Sequence, residues 1–279
     1  MSRNEFDEMS ERYELLAQQS RLVDAVLAPE ASDPTALAPS GLRALPGLPG
    51  GLPQALSAYR ADARAQSEQA LAAVYPRLRG RMEARVAGSF AALAWACWCE
   101  RGPAQGDLGA WGEVLAERLA ADATGTLPDA WTALARIEWD LHRVQRIADP
   151  VQDLGSLALL GRLPAGAVRV VLADHVALHR CDAPALAELL ELPDERFGAG
   201  PAAGLIVWRD GWHARLAAVD EAVLRWCEML RAGADLEHAL RDASLAFDFS
   251  AWLPAAVARG WLTRIDPVEM AVSGWDTRR

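Results

Sequence analysis

"GLIVWRDGWHARLAAV", residues 204–219, decides the fold. "LIVWR" and "WHARL" are apolar, strand-prone runs, and Asp210 and Gly211 stand between them. An Asp-Gly pair between two such runs is among the strongest short-range signals for a β-hairpin, because the tight turn needs residues that accept positive φ. Upstream, "LPAGAVRVVLADHVALHRC" (163–181) follows a turn with Val168, Val170, Val171, Leu172, Val176 and Leu178, a β-branched density that predicts strands. "APALAELLEL" (183–192) reads as a short helix. Downstream, helices are expected over about 218–231, 235–245 and 249–259, then a closing strand in "GWLTRI". Asp235 and Ser250 are the expected N-caps, and Gly233 and Gly260 the C-terminal stops.

The first half has a different character. Residues 5–28 have helical periodicity, with Leu15, Leu16, Leu22, Val23, Val26 and Leu27 as the apolar stripe. The Pro- and Gly-dense stretch 29–53 predicts a surface loop. Helices follow at about 54–74, 82–100, 108–121 and 128–147, and Pro76 breaks one helix or starts the next. The expected class is therefore mainly α, α+β. A helical bundle (1–150) and a linker (151–165) precede a winged-helix-like domain (166–266), and a tail (267–279) closes the chain.

Of the 279 residues, 52% are hydrophobic and 24% charged, enough for sizeable cores. The net charge of −10 works against a long-range attraction to DNA or to an anionic membrane. All 28 basic residues are arginines, which we read as genome composition. The N-terminus is charged, with no apolar signal core, and no run reaches the roughly 18 apolar residues of a membrane span. The expectation is a cytoplasmic protein. Cys97, Cys99, Cys181 and Cys227 match no zinc spacing and read as buried free thiols.

"ALARIEWDLHRV" (133–144) concentrates chemistry-bearing residues. Leu134, Ile137, Leu141 and Val144 form its core face. Arg136 and Asp140, and likewise Glu138 and His142, are four apart and can pair on the surface. Trp139 and His142 flank the core stripe. A di-iron bundle would need Glu-x-x-His on two helices, whereas here the spacing is Glu-x-x-x-His and occurs once. His175 and His179 lack the Glu of a zinc-protease helix, and as strand residues they would sit about 13 Å apart. They read as surface or strand histidines. No phosphate loop, dinucleotide fingerprint, nucleophile elbow or nucleophile–base set appears, so a binding protein is expected, with no cofactor of its own.

Over roughly residues 15–150 the chain resembles the N-terminal domain of the HvfC/BufC family. The likeness rests on "LLAQQSRLVDAVLAP", "GLRALPG", "YRADARAQSEQALAAVYPRL" and above all "ALARIEWDLHRVQRIAD", in that order. Two details depart from the family pattern. Asp62 stands where Asn is frequent, and "RGPAQGDLG" replaces a His-Pro pair after Trp98. The later part, with "LIVWR", Glu221 and "LRAGADLEHAL", is similar to a winged-helix, peptide-recognition-like unit.

The resemblance implies a partner subunit of a TIM-barrel, multinuclear non-heme iron enzyme. That enzyme oxidatively modifies cysteines of a ribosomally made precursor peptide and carries the iron. Tyr59, Arg60, Arg136, Glu138, Trp139 and His142 are then the candidates for contact with the enzyme. Leu205, Ile206, Val207, Trp208, Arg209 and Trp212 are the candidates for binding the precursor, by strand addition at "LIVWR" or a neighbour, with Trp208, Trp212 and Trp226 as possible aromatic anchors.

The competing reading is a winged-helix DNA-binding regulator. Over 204–266, seven arginines face nine carboxylates, and the last helix, "SAWLPAAVARG", has one arginine and no Asn, Gln or Lys. That is not the basic footprint of a DNA reader. Residues 54–101 are net +3, densest in "YPRLRGRMEAR", and could face an acidic surface, a leader peptide or nucleic acid.

Overall fold

A computed structural model describes residues 3–27, 42, 47, 50–121, 128–148, 151–181, 196–243 and 246–268, with backbone alone at 3–8 and 11. The expected helix at 183–192, most of the 29–53 loop and the tail beyond 268 lie outside these residues. The chain is mixed α/β and dominated by helix. It divides into two compact units, 1–73 with 81–115, and 74–80 with 116–279.

The first unit contains α1 (Arg3–Leu27), α2 (Gly51–Val74), the end of α3 (Pro76–Arg85) and α4 (Ser89–Glu100). The single helix expected at 82–100 is two, because Gly88 adopts φ +77 between them and ends helical propagation there. Glu83 then accepts from the Gly88 and Phe90 N–H groups (2.7 and 2.9 Å), capping α4. Leu56, Leu71, Phe90 and Cys97 are fully buried. Trp98 meets Trp111 edge-on at 5.1 Å, and the Trp111 indole donates to the Arg101 carbonyl. The α1 stripe does not become core. Leu16 is 57% exposed, and Leu15 and Val23 are comparably open. Among the described residues its last turn is the anchored part, through buried Ala25 and Arg60, which donates to the Ala25 and Val26 carbonyls.

The second unit is built on two sheets. β1 (Val168–Leu172) pairs antiparallel with β6 (Leu262–Pro267). The other sheet runs β2-β4-β5-β3, from β2 (Ala177–Arg180), β3 (Arg196–Phe197), β4 (Ala202–Asp210) and β5 (His213–Asp220). The hairpin forms as expected, one residue later at its tip. Asp210 still pairs with His213, so Gly211 (φ +59) and Trp212 make the loop.

Helices α5 (Glu113–Ala120) and α6 (Asp129–Arg146) precede the sheets. α7 (Glu221–Arg231), α8 (Leu236–Asp242) and α9 (Phe249–Ala258) follow the hairpin. Asp235 caps α8, and Gly233 and Gly260 take positive φ after α7 and α9, as expected. The cap of α9 is Asp248, not Ser250. Its carboxylate accepts from the Ala251 N–H at 3.1 Å, with Ser250 already inside the helix.

α6 packs along β4 and β5, and α7 packs against β1, β2, β4 and β5. Neighbouring residues of β2 reveal the layering. His179 reaches Asp140 on α6, while Arg180 reaches Glu221 and Glu228 on α7. Successive strand residues point to opposite faces, so the sheet lies between α6 and α7. This explains why Leu205 to Arg209 are buried without alternation. α6 belongs to this unit by contact, although the change in composition falls later, near 150–165.

On the α7 face, Trp226 packs among Phe247, Phe249 and Trp252, and Trp208 meets Trp261 edge-on at 5.4 Å. His175 is buried in the turn before β2, not on the surface. Two cysteines are buried, Cys97 and Cys227, but Cys99 is exposed and Cys181 half-buried. Burial pushes the Cys227 thiol up to about 12, which leaves it an inert core residue.

Candidate functional site

α6 carries four of the six enzyme-contact candidates, and its two sides differ sharply. Glu138 faces inward and is only 2% exposed. Its Oε1 and Oε2 accept from the Arg77 and Leu78 N–H groups at 2.9 and 3.0 Å, and the Arg77 guanidinium lies 3.8 Å away. Glu138 therefore caps the N-terminus of α3, where unsatisfied N–H groups and the helix dipole favour an anion. Burial pushes its carboxyl up, more than those two bonds and the Arg77 charge pull it down. The pairing expected from spacing, Glu138 with His142, is replaced by this cap. His142 stacks on Trp139 instead (5.8 Å, 27°), both half-buried.

Asp140 also departs from the expected Arg136 pair. It holds Arg143 at 2.7 Å and reaches His179 of β2 at 3.0 Å. Burial raises its carboxyl, but His179 and Arg143, by hydrogen bond and by charge, outweigh that and hold it below the ordinary range. The pair pins an outer strand to the helix. Nearby, Arg231 donates to the Val176 carbonyl at the start of the same strand. Arg136 stays exposed on the outer side of α6.

Tyr59 and Arg60 lie in the first unit. Tyr59 is 56% exposed, whereas Arg60 is committed to the end of α1. The enzyme-contact candidates therefore fall in two units, with Arg136, Glu138, Trp139 and His142 together on α6.

The precursor-binding candidates separate just as clearly. Leu205, Ile206, Val207, Trp208 and Arg209 are all buried, and Arg209 donates to the Ile147 carbonyl at the end of α6. β4 is paired on both sides, so it offers no edge to an added strand. Among the described residues the outer strands of this sheet are β2 and β3. Trp226, considered as an anchor, is core. Trp212 alone is presented, 82% exposed at the hairpin tip.

Two features went unread in the sequence. One is a cleft of about 330 Å³ beside the start of α7, lined by Gly200, Pro201, Glu221, Arg225 and Asp242 among others. The other is the outer ridge of α6, where Arg143 and Arg146 join Arg136 and Trp139. The i, i+3, i+7, i+10 spacing was visible, but which side faces solvent was not. Among the described residues, no group of three or more His, Cys, Asp or Glu side chains is placed to hold a metal ion.

No protein-family model matches the chain, and no curated protein matches it at a significant level.

Proposed function

We propose that this chain is the non-catalytic partner subunit of a TIM-barrel, multinuclear non-heme iron enzyme, and that it helps present a ribosomally made precursor peptide for cysteine modification. The iron belongs to the enzyme. The chain contributes binding surfaces. The family resemblance of residues 15–150 suggests the enzyme class, and the second unit supports the peptide-binding part of the reading.

The observation that carries the reading is the order and pairing of that unit. Strands β1 and β2, the β4–β5 hairpin, helices α7 to α9 and strand β6 follow one another in the order expected from the sequence, which supports reading this unit as a peptide-recognition module. Its four-stranded sheet has β2 and β3 outermost. An extended peptide can add to such a strand through backbone hydrogen bonds, with side-chain anchors setting specificity. In this reading the added strand lies at β2 or β3, not at β4, and Trp212 is the exposed aromatic anchor among the candidates. Arg136, Trp139 and His142 of α6, with Tyr59, remain the candidates for enzyme contact, while Glu138 and Arg60 support the elements that present them.

The test is co-expression with a TIM-barrel iron protein encoded beside it, followed by size-exclusion chromatography and metal analysis. A stable heterodimer with iron in the enzyme is expected. If the chain elutes alone and retains duplex DNA at physiological salt, the regulator reading replaces this one.

A further inference from the structure

Helix α1 carries a line of apolar side chains that the described residues leave open. Met9, Tyr13, Leu16 and Val23 are all exposed, and with Ser20 they follow spacings of 4, 3, 4 and 3 residues. That is the seven-residue repeat of a coiled-coil seam, with Tyr13 and Ser20 at a positions and Met9, Leu16 and Val23 at d positions. On a helical period of 100° per residue the five share an arc of about 80°. Ala25, the buried residue of the last turn, stands about 160° from the middle of that arc, and half-buried Leu22 about 140°. The face that holds α1 to its own unit is therefore opposite the seam. Apart from position 11, every side chain from Met9 to Arg21 is exposed. Helices in proteins owe most of their stability to packing an apolar face, and a contiguous apolar stripe left in solvent marks an interaction surface.

We infer that α1 pairs antiparallel with α1 of a second copy of this chain, as a two-stranded coiled coil. The repeat selects the kind of occupant. An apolar period of 3.5 residues keeps a seam facing one neighbouring helix through a left-handed supercoil, whereas a sheet or barrel surface imposes no such period. The residues select a second copy. In an antiparallel pair an a residue meets a d residue, and the register that sets Tyr13 against Leu16 also sets Ser20 against Met9. Each layer then occurs twice about a two-fold axis, as an isologous interface requires. Small Ser20 leaves room for the long, adaptable Met9, and Val23 comes level with position 6, a phenylalanine in the sequence. Charge selects the direction. Residues 3–14 hold five carboxylates and two arginines, and residues 15–27 one of each. A parallel pair would lay the two acidic halves side by side. The antiparallel pair lays each against the near-neutral half of the other and opposes the helix dipoles. Two such helices bury on the order of 1,000 Å² in total, the low end for a specific interface, so a dissociation constant on the order of 10 µM is expected. The inference does not rest on the partner reading, because none of the enzyme-contact candidates lies on α1.

The experiment is analytical ultracentrifugation of the full chain alone, from about 1 to 200 µM, on wild type, L16E and L15E. Leu15 is exposed on the same helix but stands off the seam, so L15E makes the same chemical change without touching the layers. The weight-average mass of wild type and L15E should rise from that of a monomer towards twice that value, and L16E should associate at least tenfold more weakly. Thermal melts at about 1 µM, where the monomer dominates, should be the same for all three. Direction and register are read by cross-linking in a C99S/C181S background, which removes the thiols that are not buried. On mild oxidation an equimolar mixture of M9C and S20C should give a disulfide-linked dimer, and neither variant alone should. This arm stands even if L16E fails to fold. A wild type that stays monomeric at 200 µM, equal losses in L15E and L16E, or M9C that cross-links with itself as readily as with S20C would each overturn the proposal. So would a monomeric wild type whose heterodimer with the iron enzyme is abolished by L16E, since the seam would then belong to that enzyme. Failure of the heterodimer alone removes the partner reading and leaves this one standing.

Discussion

Glu138 shows how a single residue can mislead when read by spacing. Four residues before His142 it looks like half of a surface pair, yet it is a buried cap on a helix distant in sequence. Replacing it with Ala leaves the Arg77 and Leu78 N–H groups without their acceptor, at a cost of about 2–4 kcal/mol by the usual penalty for stranded buried donors. Chemical denaturation of E138A and E138Q would check this, with E138Q, which keeps one carbonyl acceptor, losing clearly less. Asp140 gives a pH dependence with a definite sign. Its carboxyl is held below the ordinary value in the folded chain, so the stability it contributes is present above the unfolded pKa and is lost as pH falls through the folded one. Denaturation midpoints of wild type and D140N should therefore converge as pH is lowered from 6 toward 3. A gap that stays constant with pH would mean that the Asp140–His179–Arg143 contacts carry no net charge coupling.

At the scale of elements, signals confined to a few neighbouring residues were legible and those depending on a distant partner were not. The Asp-Gly hairpin, the Asp235 cap and the Gly233 and Gly260 stops are local chemistry, and all formed. Ser250 lost the cap to Asp248, two residues earlier, because a carboxylate there already reaches the Ala251 N–H. The stripe of α1 had the right period but no surface to bury against among the described residues, whereas Leu71 of α2 did. L16A should therefore change stability by less than about 0.5 kcal/mol and L71A by about 2–5 kcal/mol, a contrast that thermal melts can read.

The β2–β4 contact makes a sharper demand. A Cβ on Gly204 would stand 2.3 Å from the His179 carbonyl oxygen, a backbone atom that cannot swing away. G204A should cost more than about 2 kcal/mol and speed amide exchange along β2 first. By contrast, Arg180 bridges Glu221 and Glu228 at the surface, where screening and side-chain entropy leave such pairs worth about 1 kcal/mol or less. R180M should be nearly silent in the same assay.

At the scale of the whole molecule, composition indicated a change of character near residue 150, but packing draws the line elsewhere. α6 looks like part of an all-helical half because its own residues are helical. It becomes a layer of the sheet because Arg209 holds its C-terminal end and His179 holds Asp140. Neither contact spans fewer than 39 residues, so neither has a local signature. The consequence is functional. The helix proposed to meet the enzyme and the sheet proposed to meet the precursor share one compact unit, joined by the His179–Asp140 pair.

The most direct measurement is reconstitution of the modification from separate components. The iron enzyme, its precursor peptide and dioxygen are combined with and without this chain, and the precursor is followed by mass spectrometry. The prediction is a mass change on a precursor cysteine only when the chain is present, and its loss when the enzyme is omitted. Modification that proceeds equally without the chain would contradict the partner role at its centre.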